Sequence, residues 1–301
     1  MNSIILKARG KINLTLDVVG KRDNGYHDLR MIMQTINLYD TLYIRKTKVS
    51  GIRLQANYSW LPTNEKNIAY RAAQVFLEEA NINTGVAIEL TKRIPVAAGL
   101  AGGSTDAAAT LIGLNKLFNT RYNREKLMEM GLRLGADVPF CILRGTVLAE
   151  GIGEVLTPLS PMPYTHVVLV KPPISVSTAV VYKNLDINNI HLHPNTEAAI
   201  KAIQDKNLHS IATNMVNVLE GVTIPMYPII QDFKEDLIRH GAIGAMMSGS
   251  GSTVFGLFES KEKAYAAAGY FKLQRNVRDV YTTTTYSKMQ KGVHVNDRRY
   301  L

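Results

Sequence analysis

The sequence predicts an α+β chain of two units, and three observations carry that prediction. Residues 8–18 alternate apolar and polar, as a strand with one buried face does. The small-residue run Pro95 to Ala109, P-V-A-A-G-L-A-G-G-S-T-D-A-A-A, passes without a break into an alanine-rich helix. The second half, once inserted helices are set aside, reads β-α-β-β-α-β, the ferredoxin-like order. A length of 301 residues allows two domains, each with its own core. The linker-like T-P-L-S-P-M-P places the boundary between 1–157 and 158–301, with the C-terminal tail expected to pack back on the first unit.

In the first strand Ala8, Gly10, Ile12, Leu14, Leu16 and Val18 take one face, and Arg9, Lys11, Asn13, Thr15 and Asp17 the other. A period of two therefore sets Lys11 and Asn13 side by side on a polar face. D-N-G at 23–25 marks a turn that presents Tyr26 and His27. Strands follow at 41–46 and 52–57, then a helix from Asn67 to Ala80 and a strand at 86–90. The small-residue loop leads into a helix over 107–117, and a further helix at 124–134 is closed by Gly135. A hairpin at 149–154 precedes the linker. Beyond it come a strand (166–170), a helix (178–184), two helices within 197–220, a helix (227–240), strands at 243–247 and 253–258, a helix (261–273) and a strand (277–286).

An apolar fraction of 46% and a charged fraction of 20% are those of a globular protein. No apolar run approaches the ~20 residues of a membrane span. The N-terminus reaches Lys7 after only Ile4, Ile5 and Leu6, too short for a secretory segment. The single cysteine, Cys141, lies in the apolar string V-P-F-C-I-L and reads as a buried core thiol. A cytoplasmic location with no membrane partner is expected. The net charge of +10 favours anionic partners. Nucleic acid and phosphorylated small molecules both satisfy it, and no Lys/Arg block interleaved with aromatics singles out the first.

The loop itself points to an anion. Small side chains let the backbone approach a ligand, and a helix start offers unpaired N–H groups at the positive end of its dipole. Gly99, Gly102, Gly103, Ser104 and Thr105 stand at that helix entry, and nucleotide phosphates are the natural occupant. A Walker A loop is excluded, because no lysine lies between Arg93 and Lys116. A dinucleotide fingerprint is excluded by spacing, and the protein-kinase motifs H-R-D and D-F-G are missing.

Three further features accompany the loop. Lys11 and Asn13 stand in A-R-G-K-I-N-L, Asp137 in L-G-A-D-V-P-F, and M-S-G-S-G-S-T at 247–253 forms a second glycine-rich turn before a strand. Singly, each has an ordinary explanation: a solvated lysine, a turn aspartate, a tight loop. In this order and spacing the chain resembles the GHMP kinase superfamily, whose loop P-x-x-x-G-L-x-x-S-S-x-x matches Pro95 to Ala107 with one added glycine. K-I-N-L at 11–14, G-Y-H at 25–27, G-L-x-G-G-S at 99–104, L-G-A-D-V-P-F at 134–140 and G-I-G-E at 151–154 are similar to the branch that acts on a cytidyl-diphosphate methylerythritol. The resemblance spans nearly the whole chain, thinning between about 185 and 240 and in the tail after Ser287.

That resemblance implies a first domain with a ribosomal-S5-like fold for ATP and a ferredoxin-like second domain for the acceptor. It implies ATP as co-substrate on Pro95, Val96, Ala97, Ala98, Gly99, Leu100, Ala101, Gly102, Gly103, Ser104 and Thr105, with adenine near Asn67. Asp137 would accept the proton of a tertiary hydroxyl, and Lys11 would orient Asp137 and offset charge on the γ-phosphoryl. Asn13, Tyr26, His27, Thr178 and Tyr182 would hold the cytidyl substrate, the last two sharing a helix face at i, i+4. Mg²⁺ is expected, with Ser104 as its candidate ligand, and the protein would be a monomer or homodimer that binds no nucleic acid. Relative to the family, Gly10 replaces a common alanine, Ala97, Ala98 and Ala101 replace loop glycines, and Thr105 replaces a serine. Since alanine disfavours positive φ, ordinary backbone is expected at the alanines and the cradle's strain at Gly99, Gly102 and Gly103. The alternatives are another GHMP alcohol kinase, of mevalonate or homoserine type, and a basic RNA-binding module. G-Y-H argues against the first.

Overall fold

In the computed structural model, which describes residues 1–287, the chain opens with a long antiparallel pair, β1 (Ser3–Lys21) and β2 (His27–Thr47). The first half continues through β3 (Ile52–Ala56), α1 (Ile68–Glu79), β4 (Gly85–Thr91), α2 (Gly102–Phe118), α3 (Arg124–Leu132), α4 (Asp137–Leu143), β5 (Thr146–Gly151) and β6 (Val155–Pro158). The second half holds β7 (His166–Lys171), α5 (Thr178–Asn184), α6 (Thr196–Gln204), α7 (Leu208–Thr213), β8 (Val216–Asn217), α8 (Glu220–Met226), α9 (Ile229–Arg239), β9 (Gly244–Met247), β10 (Val254–Phe258), α10 (Lys261–Lys272) and β11 (Asp279–Thr284). The expected return of the C-terminal tail onto the first half lies outside the described residues.

One sheet runs β3-β4-β2-β1-β8, with β5 paired to β2 and β6 to β5. The other runs β11-β7-β10-β9 with every neighbour antiparallel, the strand arrangement that β-α-β-β-α-β predicts. The short β8, from the second half, pairs with β1 at Thr15 and Leu16 and so stitches the two halves together.

Two readings of the first strands need correction. The segment 28–40, where the sequence predicts no strand, belongs to β2, and the polar face of β1 is buried rather than solvated. Strict alternation also fails along β1. The pairing with β2 slips between Arg9 and Lys11 and again between Asn13 and Thr15. Ala8, Leu16 and Val18 pack into the core beneath α2, whereas Ile12 and Leu14 pack into a second core with Leu169 and Phe255 of the other sheet. Bulges of this kind re-aim side chains next to active sites. Here the re-aimed residues are Lys11 and Asn13.

Helix starts follow their capping chemistry. Asn67 caps α1 by accepting from the Ala69 N–H, Asn123 caps α3 and Ser177 caps α5. The entry to α2 has none: Ala101 precedes it in a left-handed conformation (φ 54°) and supplies no side-chain cap. Asp137, expected in a turn, is the first residue of α4.

Candidate active site

The two halves share one cavity of about 1050 Å³, upwards of the usual size for a single small-molecule site. Its walls bring together Lys11, Asn13, Tyr26, His27, Asn67, the loop Pro95 to Ser104, Asp137, Thr178 and Tyr182. Of the expected site residues Thr105 alone is off this wall. Its side chain is buried and donates to the Arg9 carbonyl at 2.7 Å, tying α2 to β1 instead of facing a ligand.

The loop's geometry differs from expectation in an instructive way. Ala97 (φ 53°) and Ala101 (φ 54°) are left-handed, as is Gly99 (φ 73°), whereas Gly102 and Gly103 are ordinary first-turn residues of α2. An alanine in that region costs about 1–2 kcal/mol, which the surrounding packing has to offset. Ala98 and Leu100 do so by burying their side chains in the inter-sheet core with Ile12 and Ile94. Gly99 is needed for space as well as for φ, because a Cβ there would lie 2.0 Å from the Ser248 carbonyl oxygen. At Gly10 a Cβ would approach the Leu100 carbonyl oxygen to 3.2 Å, and that same oxygen accepts the Lys11 N–H at 3.1 Å. Gly10 therefore lets the loop close onto β1 and fixes Lys11 beside it. With no side-chain cap on α2, and with the Thr105 N–H the first to find its helical partner on Ala101, the preceding N–H groups are left for an anion.

Lys11 and Asn13 are both buried, and the Lys11 ammonium donates to Asn13 Oδ1 at 2.7 Å. Asn13 Oδ1 also accepts the Gly249 N–H at 3.0 Å. Lys11 is thus oriented by Asn13 and the second glycine-rich turn, not by an ion pair with Asp137. Asp137, half-buried, reaches the cavity from the start of α4.

On the same cavity wall His27 and Tyr182, from opposite halves of the chain, place their rings 5.1 Å apart at 32°. Burial, then Asp137, pushes the Tyr182 hydroxyl well above the usual phenol range, so it stays neutral. Burial, then Lys21, holds the His27 imidazole below its ordinary value. Tyr26 is exposed at the rim, and Thr178 shares a 2.8 Å hydrogen bond with Ser250. Asn67 lines the wall, but its side chain is already committed to the Pro62 carbonyl and the Ala69 N–H.

Several residues on or beneath the cavity wall were missed. Gly249 and Ser250 line it, held by Asn217, whose amide donates to the carbonyls of Met247 and Gly249. Ser248 Oγ donates to the Gly99 carbonyl at 3.0 Å, locking the two glycine-rich turns together. The M-S-G-S-G-S-T motif was the available signal. Lys21, Lys66 and Lys183 add cationic character, and Lys92 and Asp106 lie on the wall below the loop. Cys141 is buried, and burial raises its thiol far above the reactive range, as a core thiol requires.

A helix start with unpaired N–H groups, a buried lysine and a carboxylate on one wall are the parts an ATP-dependent small-molecule kinase needs, and that is the class the relatives define. The match to GHMP kinases N terminal domain covers residues 67–145, and the match to GHMP kinases C terminal covers 199–274. The chain belongs to the GHMP kinase family. It is 54% identical to the 4-diphosphocytidyl-2-C-methyl-D-erythritol kinase of Lachnoclostridium phytofermentans, covering 91% of this chain and 94% of that one. It is 49% identical to the enzyme of that name from Lachnospira eligens, over 95% of this chain and 100% of the other. A crystal structure of 4-(cytidine 5'-diphospho)-2C-methyl-D-erythritol kinase superposes with a TM-score of 0.82 at 33% identity, covering 95% of this chain and 100% of that one. Homoserine kinase from Cytophaga hutchinsonii shares the fold at a TM-score of 0.76 and 21% identity, covering 95% of each chain.

Proposed function

We propose that this chain transfers the γ-phosphoryl of ATP to the 2-hydroxyl of 4-diphosphocytidyl-2-C-methyl-D-erythritol, giving the 2-phosphate and ADP, a step of non-mevalonate isoprenoid biosynthesis. One observation carries the reading. A single cavity is lined by the small-residue loop, by the His27–Tyr182 pair, and by Lys11 and Asp137. Lys11 lies against the loop through Leu100, and Asp137 is close enough to Tyr182 to perturb its hydroxyl.

The phosphates rest on the N–H groups entering α2, with the adenine toward Asn67 and Pro62. Lys11, held by Asn13, places its ammonium beside the transferring group and offsets its charge. Asp137 accepts the hydrogen bond of the acceptor hydroxyl. A carboxylate is a weak base for an alcohol, but in a loose phosphoryl-transfer transition state the proton leaves late and alignment matters more than basicity. Asp137 aligns first and accepts the proton second. Cytosine lies against Tyr182 and Tyr26, with His27 at its edge, and Thr178 at the start of α5 sits beside it.

Among the described residues no three His, Cys, Asp or Glu gather as a metal site. The donors present, Ser104 Oγ and the Asp137 carboxylate, fit a Mg²⁺ that arrives with the triphosphate and keeps most of its water. Bound there, Mg²⁺ would neutralise charge on the β- and γ-phosphates. We further take 1–157 and 158–301 as the ATP and acceptor units, acting in the cytoplasm on small molecules, as a monomer or homodimer and without nucleic acid.

An ADP-release assay across a panel of alcohols tests the proposal. Turnover is expected on the cytidyl substrate and not on mevalonate, homoserine or galactose, none of which fills the base pocket. Turnover of one of those three with none on the cytidyl substrate would assign a different GHMP activity. No turnover on any, with steeply salt-dependent RNA binding, would favour the RNA-binding alternative.

A further inference from the structure

Three ionisable residues beneath the loop have no part in the chemistry above. Asp40, Lys92 and Asp106 are 0%, 4% and 3% exposed. Lys92, the residue after β4, donates through Nζ to Asp40 Oδ2 and, at 2.7 Å, to Asp106 Oδ2. The other Asp40 oxygen accepts the backbone N–H of Arg93 and, at 2.8 Å, that of Ile94. Asp40 and Lys92 thus grip the loop where it leaves β4. Asp106 grips it from the first turns of α2, where the loop ends. Gly102 leaves room for this, since a Cβ there would sit 3.2 Å from Lys92 Nζ.

The charges within the group are unequal in their support. Three donors converge on Asp40, which suits an ionised, acceptor-only carboxylate. Asp106 receives one donor, and its Oδ1 is buried with no hydrogen-bond partner among the described residues. Burial first, and Asp40 in addition, hold the Asp106 carboxyl well above the usual carboxylate range against the opposing pull of Lys92. Were both carboxylates ionised, the group would set a net negative charge under a helix start that receives phosphates. A proton on Asp106 removes it.

We propose that Asp40, Lys92 and Asp106 form a buried clasp that closes the base of the nucleotide loop and leaves no net charge beneath the phosphates. The three act as positioning residues for ATP, and the proposal rests on the reading of this loop as the ATP site.

The test is calorimetric titration with a non-hydrolysable ATP analogue, with kcat and both KM values, on wild type, Lys92→Met, Asp40→Asn and Asp106→Asn. Asp106→Asn, which mimics the neutral carboxyl, is expected to bind within about threefold of wild type. Lys92→Met and Asp40→Asn should weaken the analogue about tenfold or more, while KM for the cytidyl substrate shifts less than about threefold. If Lys92→Met does not fold, the contrast between Asp106→Asn and Asp40→Asn decides. Loss of affinity in folded Asp106→Asn as large as in Asp40→Asn overturns the protonated clasp. Wild-type affinity in folded Lys92→Met or Asp40→Asn overturns the clasp itself. Absence of analogue binding by wild type would instead reject the loop as the ATP site.

Discussion

At the scale of residues, the proposed mechanism divides the work between Lys11 and Asp137. Asp137 carries no structural ion pair among the described residues, so its replacement removes alignment and proton acceptance but little packing. Asp137→Asn is expected to lower kcat by about 10²–10⁴-fold, the usual range for a positioned acid or base, with ATP-analogue affinity near wild type. A variant retaining more than a tenth of wild-type kcat would move the acceptor-handling role elsewhere. Lys11→Ala should likewise reduce kcat more than it raises the KM for ATP, because the loop is still held by Gly10 and Ser248. Tyr182→Ala and Tyr26→Ala each remove a ring proposed to stack on the base, worth about 1–3 kcal/mol, and should raise KM for the cytidyl substrate by roughly 5- to 150-fold.

His27 offers a pH test at the same scale. Its pKa is lowered, first by burial and then by Lys21. The neutral ring therefore persists to lower pH than in a free histidine, and a neutral ring can accept from the cytosine amino group. KM for the cytidyl substrate is expected to be flat through neutral pH and to rise only on the acid side of the ordinary histidine range, as the ring takes up a proton and loses its lone pair. His27→Gln should abolish that acid rise. An acid rise that persists unchanged in His27→Gln would assign it to another group.

At the scale of elements, the two glycine-rich turns act as one piece. Gly99→Ala is expected to push the Ser248 backbone away, since its Cβ would lie 2.0 Å from that carbonyl at a φ of 73°. Folded Gly99→Ala should lose ATP-analogue affinity, and Asn13 should lose its bond from Gly249, so the KM for both substrates rises. Gly103 is a milder position: its Cβ would meet only Ile68 Cγ2, at 3.3 Å, in a right-handed conformation. Gly103→Val should therefore weaken ATP by crowding the phosphate approach while stability changes little. Equal destabilisation of the two variants in thermal melts would contradict this assignment of space and strain.

At the scale of the whole molecule, β8 on β1, Ser248 on Gly99 and Tyr182 against His27 bind the two halves across the cavity. A ligand spanning them stabilises both. At a hundred times its Kd a ligand adds about 2.7 kcal/mol to the folded state. The cytidyl substrate and an ATP analogue are each expected to shift one shared thermal transition upward. Two separate transitions, each moved by a single ligand, would show that the halves melt independently and that the cavity does not couple them.

Local pattern was enough to reveal much of this protein. The small-residue run before an alanine-rich helix points to a ligand-facing loop, which the cavity wall includes, and the five spaced motifs carry the family. The strand and helix order of the second half follows from short apolar runs and helical periods separated by turn residues. Tertiary structure decided the rest, wherever burial was two-sided or a contact joined distant segments. β1 and β2 bury polar residues on a face that alternation assigns to water, and register slips invisible in sequence turn Lys11 and Asn13 inward. Ala97 and Ala101 take left-handed backbone because Leu100 and Ala98 are anchored in the inter-sheet core, which outweighs alanine's local preference. The Asp40–Lys92–Asp106 group spans residues 40 to 106, and no spacing rule links them. Propensity and periodicity act over a few residues; which charge meets which across the fold is fixed only when the chain is packed.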